Sequence, residues 1–186
     1  DDLNKIINKD NFTNHILRKI PKEWSGYDVI LGEKIKVNNW KLSKIIKYGK
    51  KKFFLKPSNF LKSNQNIKLH FDIFHGDGLL DKAIDLLEDS EKNDFRNFVI
   101  QENSFNRENL FFCKSKSIMH NYFQSIFNWL EKCENIFGFD LEGYSKTRIY
   151  AFLAERYLSF WFNKHTSPIT WPIFFFDTNK NKIQIQ

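Results

Sequence analysis

Hydrophobic positions recur at helical spacing in three long stretches of this chain. The first runs from Gly78 to Glu88, the second from Ile118 to Cys133 and the third from Ser145 to Asn163. In each stretch apolar residues return every three or four positions, which is typical of a helix that buries one face. We expect Asp77 and Ser117 to cap the first two helices, because their side-chain oxygens can accept from free backbone N–H groups.

Short apolar runs predict the strands. Tyr27–Leu31 and Asn109–Cys113 are the clearest candidates, and Lys52–Leu55 is a weaker one. The run Ile169–Phe176 predicts a strand at the edge of a sheet, because Pro172 lacks the N–H group that a central strand needs. The Asn109–Cys113 candidate begins with a polar residue, so we expect Asn109 at the head of a buried strand.

Two further stretches are harder to assign. Phe95–Gln101 fits either a helix or a strand, and Leu3–Ile20 predicts short helices that break near Asp10 and stop before Pro21. Helices and strands alternate without the regularity of a doubly wound sheet. We therefore predict an α/β fold with a small mixed sheet flanked by helices, in a single domain that covers residues 1–186.

Composition indicates a folded domain. Hydrophobic residues make up 41% of the chain and phenylalanine occurs 21 times, which excludes the disordered class. No apolar run reaches the roughly 18 residues that a membrane span needs, and the amino-terminal sequence lacks the apolar core of a signal peptide. We therefore expect a cytoplasmic protein in which Cys113 and Cys133 are reduced core residues.

The net charge of +7 raises the question of a nucleic-acid ligand, but the type of cation disfavours one. Arginine supplies only five of the 29 basic residues, and the many Lys, Asn, Ile and Phe residues are typical of an A+T-rich genome. Lysine binds phosphate as a hydrated point charge and reads bases poorly. We predict that Lys50–Lys52 is a solvated loop whose alternative role is weak contact with anionic lipid headgroups or a lipid-linked phosphate.

Two histidines and two aspartates lie within eight positions: His70, Asp72, His75 and Asp77. Imidazole and carboxylate groups are ligands for zinc, manganese and iron. Their spacing matches no strong metal motif, however, and a loop with a helix cap explains Gly76, Asp77 and Gly78 without a metal. We favour a structural or substrate-contact role over a metal site.

Arg148 and Glu155 are seven residues apart on the third predicted helix, with Phe152 between them. Two helical turns place them on nearly the same face, roughly 10 Å apart along the axis. Such a pair suits the wall of a cleft, and surface ion pairs are the alternative. The chain has no Gly-x-Ser-x-Gly sequence and no glycine-rich phosphate loop, so those nucleophile and nucleotide sites are not predicted.

Two segments resemble a known bacterial family. Phe105–Leu130 followed by Thr147–Leu158 is similar to the C-terminal half of the glycosyltransferases that capsular and exopolysaccharide gene clusters encode. Their pattern has an Asn-Met-Phe-Ile-Met-like strand, a helix with Tyr and Trp-Leu-Phe, and a helix with Arg-x-x-Gly-Phe-x-x-Glu-Arg-Leu. The matching positions here are Asn109, Tyr122, Trp129, Leu130, Arg148, Glu155 and Arg156, and upstream Tyr27–Leu31 and His75. Departures include Phe71 for tyrosine, Leu110 for methionine and Tyr150-Ala151 where a glycine is usual.

The resemblance implies part of a type A nucleotide-sugar transferase fold. It also implies transfer of a sugar from a nucleotide-sugar donor to a growing capsular, exopolysaccharide or lipopolysaccharide glycan or to a lipid-linked acceptor. Mn²⁺ or Mg²⁺ would be the cofactor, and the protein would contact the inner membrane at its periphery. The family's histidine-tyrosine-arginine-arginine motif and an apolar strand ending in Asp-x-Asp are absent, and no metal site is identified. We therefore expect the acceptor-side portion of a longer enzyme, or a donor half that is degenerate or supplied by another chain.

The resemblance also implies roles for the polar residues. Glu155 would be the base that deprotonates the acceptor, Arg156 or Arg148 would contact phosphate or orient that carboxylate, and His75 and Asn109 would bind sugar hydroxyls. A buried ion pair between Glu155 and Arg148 is the structural alternative. The alternative function is a noncatalytic basic domain that binds polysaccharide, a membrane surface or nucleic acid.

Overall fold

The computed structural model describes residues 7–38, 49, 54–180 and 182–184, and there it confirms a mixed α/β fold with small sheets flanked by helices. The strands are β1 (Val29–Gly32), β2 (Lys34–Lys36), β3 (Ser104–Asn106), β4 (Phe111–Cys113), β5 (Ile169–Trp171), β6 (Phe175–Asp177) and β7 (Lys182–Gln184). The helices are α1 (Ile67–Phe74), α2 (Leu79–Asp85), α3 (Asp89–Gln101), α4 (Lys116–Phe137), α5 (Tyr144–Thr147) and α6 (Ile149–His165).

The main sheet is mixed, with β1 at its centre between β4 and β5. β1 runs antiparallel to β4 and parallel to β5, and Val29, Ile30 and Leu31 are all buried. The predicted edge strand Ile169–Phe176 is divided after Trp171: β5 lies at the edge of this sheet, and β6 belongs to a separate ribbon. β2 pairs with β3, and β6 pairs with β7, in two separate antiparallel ribbons.

Helix α6 passes through the middle of the core. It packs against α3, α4 and β3, and it is buried over most of its circumference. Its aromatic residues explain this, because burying one such side chain contributes roughly 1.5–3 kcal/mol. Tyr157 contacts Phe95 and Trp129, and Trp129 donates a hydrogen bond to the Ala83 carbonyl at 2.7 Å. A helix buried on most sides also draws its polar residues inside, where each needs a partner.

Both predicted helix caps are wrong. Ser115, not Ser117, caps α4, and its side chain accepts a hydrogen bond from the Ile118 N–H at 3.3 Å. Both serines lie near the start of the helix, but the helix begins at Lys116, so Ser115 is the residue at the N-cap position. Helix α2 has no side-chain cap. Its N-cap residue is Gly78 rather than Asp77, and the φ of 72° there is a left-handed value that glycine adopts without strain.

The third predicted helix is interrupted. Arg148 has φ of −106° and ψ of 17°, and it separates the short α5 from α6. The ambiguous Phe95–Gln101 stretch is the end of helix α3. The residues around His70 form helix α1, which was not predicted and which Asn66 caps by accepting from the Leu69 N–H at 2.8 Å. Polar residues at helical positions concealed this element.

The amino-terminal predictions are only partly testable. Within the described part of Leu3–Ile20 there is one 3₁₀ turn, Phe12–His15, rather than short α-helices. Lys50–Lys52 lies outside the described residues, as do Leu3–Ile6 and Lys52–Phe53. Phe54 and Leu55 are helical, so the weaker strand candidate is wrong where the structure describes it.

Cys133 is buried and Cys113 is partly buried, and both are free thiols. The predicted core position is confirmed for Cys133, whereas Cys113 only packs against the core. Across the described ranges, no helix has the length and hydropathy that crossing a bilayer would require.

Candidate functional site

A buried guanidinium lies at the centre of the candidate site. Arg156, in the middle of α6, is 1% exposed, and its Cζ atom lies 4.2 Å from the centre of the Phe105 ring. The rings of Phe71 and Phe152 lie 5.5 and 5.9 Å away. Burial lowers the pKa of Arg156 to about 10, so the group still carries its charge at neutral pH.

Arg156 has four polar neighbours. Its Nη1 donates to Glu155 Oε2 at 2.8 Å and to the Phe152 carbonyl at 3.0 Å, and its Nη2 lies 3.3 Å from both His70 Nδ1 and His75 Nε2. A guanidinium only donates, so each of these ring nitrogens must accept. Both imidazoles therefore carry their proton on the other nitrogen.

His75 is held neutral. It is 8% exposed and its ring stacks on Phe152 at 3.9 Å. Burial first, and the charge of Arg156 second, lower the pKa of His75 to about 3. His75 Nδ1 and Arg156 Nε are buried and have no hydrogen-bond partner among the described residues. The predicted sugar-binding residue thus faces Arg156 with its Nε2 atom.

Glu155 lies at the surface end of this cluster. Its side chain is 16% exposed, and its Oε1 accepts from the Glu108 backbone N–H at 3.3 Å while Oε2 pairs with Arg156. Burial raises the pKa of Glu155, and the Arg156 charge and the Glu108 hydrogen bond oppose that rise without cancelling it. The result is a carboxylate more basic than usual with part of its surface open to a ligand.

A strained turn supplies the backbone donor to Glu155. Glu108 and Asn109 have φ of 71° and 49°, left-handed values that are uncommon for residues other than glycine. Asn109 Nδ2 donates to the Ala151 carbonyl at 3.1 Å, and its Oδ1 is buried without a partner among the described residues. The expected position of Asn109 at the head of a strand is wrong, since β4 begins only at Phe111. Asparagine tolerates this backbone better than most residues, which explains its position in the turn.

Arg148 is exposed and lies outside the buried cluster. Its guanidinium stands over the rings of Tyr144 and Phe152, at 5.1 and 5.5 Å, and it bonds the Tyr144 hydroxyl. Phe152 therefore separates Arg148 from His75. Glu155 pairs with Arg156 instead, so the alternative of a buried ion pair between Glu155 and Arg148 is wrong. The helix break at Arg148 explains why its side chain remains at the surface.

The chain matches the family described as a domain of unknown function (DUF4422) over residues 8–166. It belongs to the DUF4422 family. The matched range includes every residue of the candidate site from His70 to Arg156. No curated protein and no solved structure matches this sequence.

In this DUF4422 chain, buried hydrogen bonds of Asn106 hold the backbone just before the strained turn at Glu108 and Asn109. Asn106 Nδ2 donates to the Gly32 carbonyl at 2.5 Å, and Asn106 Oδ1 accepts from Ser159 Oγ at 3.0 Å. The Asn106 N–H also donates to Ser159 Oγ, at 2.6 Å. These hydrogen bonds join β1, β3 and α6 just before Glu108. Sequence patterns gave no signal for them, because the partners are 53 and 74 positions apart.

Asp72 has a structural role in this DUF4422 chain. It is buried, accepts from Lys68 at 2.8 Å and from the Gly78 N–H at 3.2 Å, and so joins α1 to the start of α2. Within the described ranges, no group of three or more His, Cys, Asp or Glu side chains could hold a metal ion. The Mn²⁺ or Mg²⁺ that the resemblance implies stays a prediction, and no step below uses a metal.

Proposed function

We propose that this DUF4422 chain takes part in transferring a sugar from a nucleotide-sugar donor to a growing capsular, exopolysaccharide or lipopolysaccharide glycan. The observation that carries the proposal is the Glu155 carboxylate. It is partly open to a ligand, its pKa is raised, and a guanidinium and a backbone N–H hold it from the inner side. The resemblance at Asn109, Arg148 and Glu155-Arg156 supports the same reaction class.

The proposed reaction needs one proton acceptor and one leaving group. Glu155 takes the proton of the acceptor hydroxyl while that oxygen forms a bond to the anomeric carbon of the donor sugar. The bond between the anomeric carbon and the phosphate oxygen breaks, and its electron pair leaves with the nucleoside diphosphate. A carboxylate with a raised pKa suits the role, because general-base efficiency rises as the pKa approaches the working pH.

The two arginines then have different roles in the proposal. Arg156 is 1% exposed, so it orients the Glu155 carboxylate rather than contacting the donor. Arg148 is exposed and contributes a positive charge near Glu155, so it is the cation that contacts the leaving diphosphate. Asn109 Oδ1 is buried, so Asn109 fixes the turn beside Glu155 by donating from Nδ2 to the Ala151 carbonyl rather than binding a sugar hydroxyl, and His75 holds the Arg156 guanidinium.

The cost of the cluster supports a functional role. A buried polar atom without a partner costs roughly 1–3 kcal/mol, and Arg156 Nε, His75 Nδ1 and Asn109 Oδ1 have none among the described residues. Strained turns and unsatisfied polar groups concentrate at functional sites.

We place the reaction in the cytoplasm at the inner face of the membrane as part of the same proposal.

A donor panel tests the function. Thermal shift of the full chain with UDP-, GDP- and CDP-sugars, with and without manganese, should identify one donor class that raises Tm. Release of nucleoside diphosphate should follow with that donor. Arg148→Gln removes one charge-assisted contact and should weaken donor binding about tenfold. Lys146 is an exposed neighbour of Arg148, and Lys146→Gln should leave donor binding unchanged. If no sugar nucleotide shifts Tm and none is turned over, the proposal fails and a noncatalytic domain remains.

A further inference from the structure

An exposed amino-terminal segment carries aliphatic side chains that no other described element covers. It follows the 3₁₀ turn Phe12–His15, and Ile16, Leu17 and Ile20 are 57%, 52% and 61% exposed. A single exposed apolar residue needs no explanation, whereas a cluster of three within five positions does. The cluster marks a surface that contacts something apolar.

The same segment borders an apolar groove. Two adjoining cavities of about 500 and 270 Å³ share Leu17, Trp171 and Pro172 in their walls. Apart from His15, every lining side chain is apolar, and Gly32 adds only backbone. The walls of the first cavity include Phe12, Ile16, Phe174 and Phe176, and those of the second include Trp24, Leu110, Phe112 and Ile173.

The exposed aliphatics alternate with cations. Arg18, Lys19 and Lys22 are exposed, and no Asp or Glu occurs from Asn11 to Lys22. Acidic residues flank this stretch only at Asp10 and Glu23. Exposed aliphatics beside lysine and arginine are typical of segments that lie in a bilayer interface, where the cations meet anionic headgroups.

The combination distinguishes a lipid surface from a protein partner. Lysine is depleted in the centres of protein interfaces, where its charge would have to be desolvated. At a bilayer the same lysine stays among headgroups while its apolar neighbours enter the acyl region. We propose that the segment from Phe12 to Lys22 and the groove beside it bind an anionic lipid bilayer. This surface is separate from Glu155, and the proposal does not depend on the glycosyltransferase reaction.

Cosedimentation of the full chain with two kinds of vesicle tests the proposal. One vesicle is pure phosphatidylcholine and the other also contains phosphatidylglycerol. We expect binding to the anionic vesicles that is at least roughly tenfold tighter than to the neutral ones and that weakens with salt.

Two variants separate the apolar from the charged contribution. Leu17→Ser should weaken binding to anionic vesicles roughly tenfold, the loss expected for one inserted leucine. Arg18→Gln with Lys19→Gln should weaken it by about fivefold for each cation and reduce the salt dependence. Ile136→Ser is the apolar control, since Ile136 is 62% exposed on α4, and Lys82→Gln is the charge control on α2. Circular dichroism melts should show that all four variants remain folded.

Several outcomes would overturn the proposal. Equal binding to both vesicle types, or equal losses in the control variants, would remove the assigned surface. Failure to bind vesicles together with salt-sensitive binding of an oligonucleotide would assign the cations to nucleic acid. A concentration-dependent dimer that Leu17→Ser abolishes, without vesicle binding, would assign the groove to a second copy of the chain.

Discussion

Arg156 and Glu155 are consecutive residues on α6, yet their side chains form an ion pair with 2.8 Å between Nη1 and Oε2. Consecutive residues on a helix point about 100° apart, so neighbours rarely pair in this way. Here the Arg156 side chain is fully buried, while Glu155 remains at the edge of the surface. The pair therefore connects the aromatic core to a partly open carboxylate.

Removing the buried guanidinium should destabilise the fold. Arg156→Ala leaves Glu155 without its partner and opens space between Phe105 and Phe152, and we expect a loss of about 3–5 kcal/mol of unfolding free energy. Urea denaturation measures it. Arg96→Ala is the matched control, because Arg96 pairs with Asp85 at 2.6 Å on the surface and should cost about 1 kcal/mol or less. Equal losses in the two variants would show that burial of the pair is unimportant.

The raised pKa of Glu155 predicts a pH-dependent stability difference. Because the folded pKa lies above the ordinary value of 4.5, the unfolded chain releases this proton first as pH rises. Glu155 therefore lowers stability progressively as pH rises from 4.5 through its folded pKa. The unfolding free energy of Glu155→Gln relative to wild type should increase over that window, in urea titrations at successive pH values.

The control for this pH series is Glu131→Gln. Glu131 is an exposed carboxylate on α4, and this variant is measured at the same pH values as Glu155→Gln. A difference between Glu155→Gln and wild type that stays constant with pH would contradict the raised pKa of Glu155.

His75 should have the opposite effect on stability. Its pKa falls from 6.5 to about 3 on folding. Between these two values the unfolded chain binds a proton at His75 and the folded chain does not. Stability from this group is present above pH 6.5 and is lost as pH falls towards 3, by about 1.4 kcal/mol for each pH unit. His75→Gln should remove this slope in urea unfolding between pH 7 and 5.

Exposed His15 provides the comparison. His15→Gln is measured over the same pH range as the control for removing an exposed histidine. The same slope in His75→Gln and wild type would mean that His75 is protonated in the folded chain, which would be incompatible with Nε2 accepting from Arg156.

The turn beside Glu155 should prefer glycine. Glu108 has φ of 71°, where a β-branched side chain costs roughly 1–2 kcal/mol more than glycine. Glu108→Gly should therefore be more stable than Glu108→Val by about that amount in thermal melts. At Glu102, where φ is −83° and ψ is 144°, the order should reverse. The same order at both positions would be evidence against the left-handed turn.

The periodic elements were predictable from sequence because burial imposes their spacing. Helix α4 shows it clearly, because its buried residues Tyr122, Ile126, Trp129 and Cys133 share one face. Helix α6 is apolar on most sides because it crosses the core, and the β1 run is apolar because it lies at the centre of the main sheet. Helix α1 was missed because two of its residues on the inner side are polar. His70 contacts Arg156 in the candidate site, and Asp72 accepts from the Gly78 N–H where α1 meets α2. The break at Arg148 depends on local backbone angles that no pattern records.

The candidate site was predictable only in part. Arg148, Glu155, Arg156, His75 and Asn109 were identified as polar residues at element ends or through the resemblance. Ser159 was not, because its partner Asn106 lies 53 positions away, and His70 was identified only within the group of histidines and aspartates, without its contact to Arg156 86 positions away. Burial cannot be read from spacing, so the sequence leaves Arg156 either as a phosphate ligand or as a residue that orients Glu155, whereas its guanidinium lies in the core.

The most direct test of the central claim is the rate of nucleoside diphosphate release by Glu155→Gln with the donor identified by thermal shift. A missing general base should lower kcat by about 10²–10⁴-fold while donor binding stays close to wild type and circular dichroism shows a folded variant, and Glu131→Gln should keep full activity. Wild-type kcat in a folded Glu155→Gln variant would contradict the assignment of Glu155 as the base.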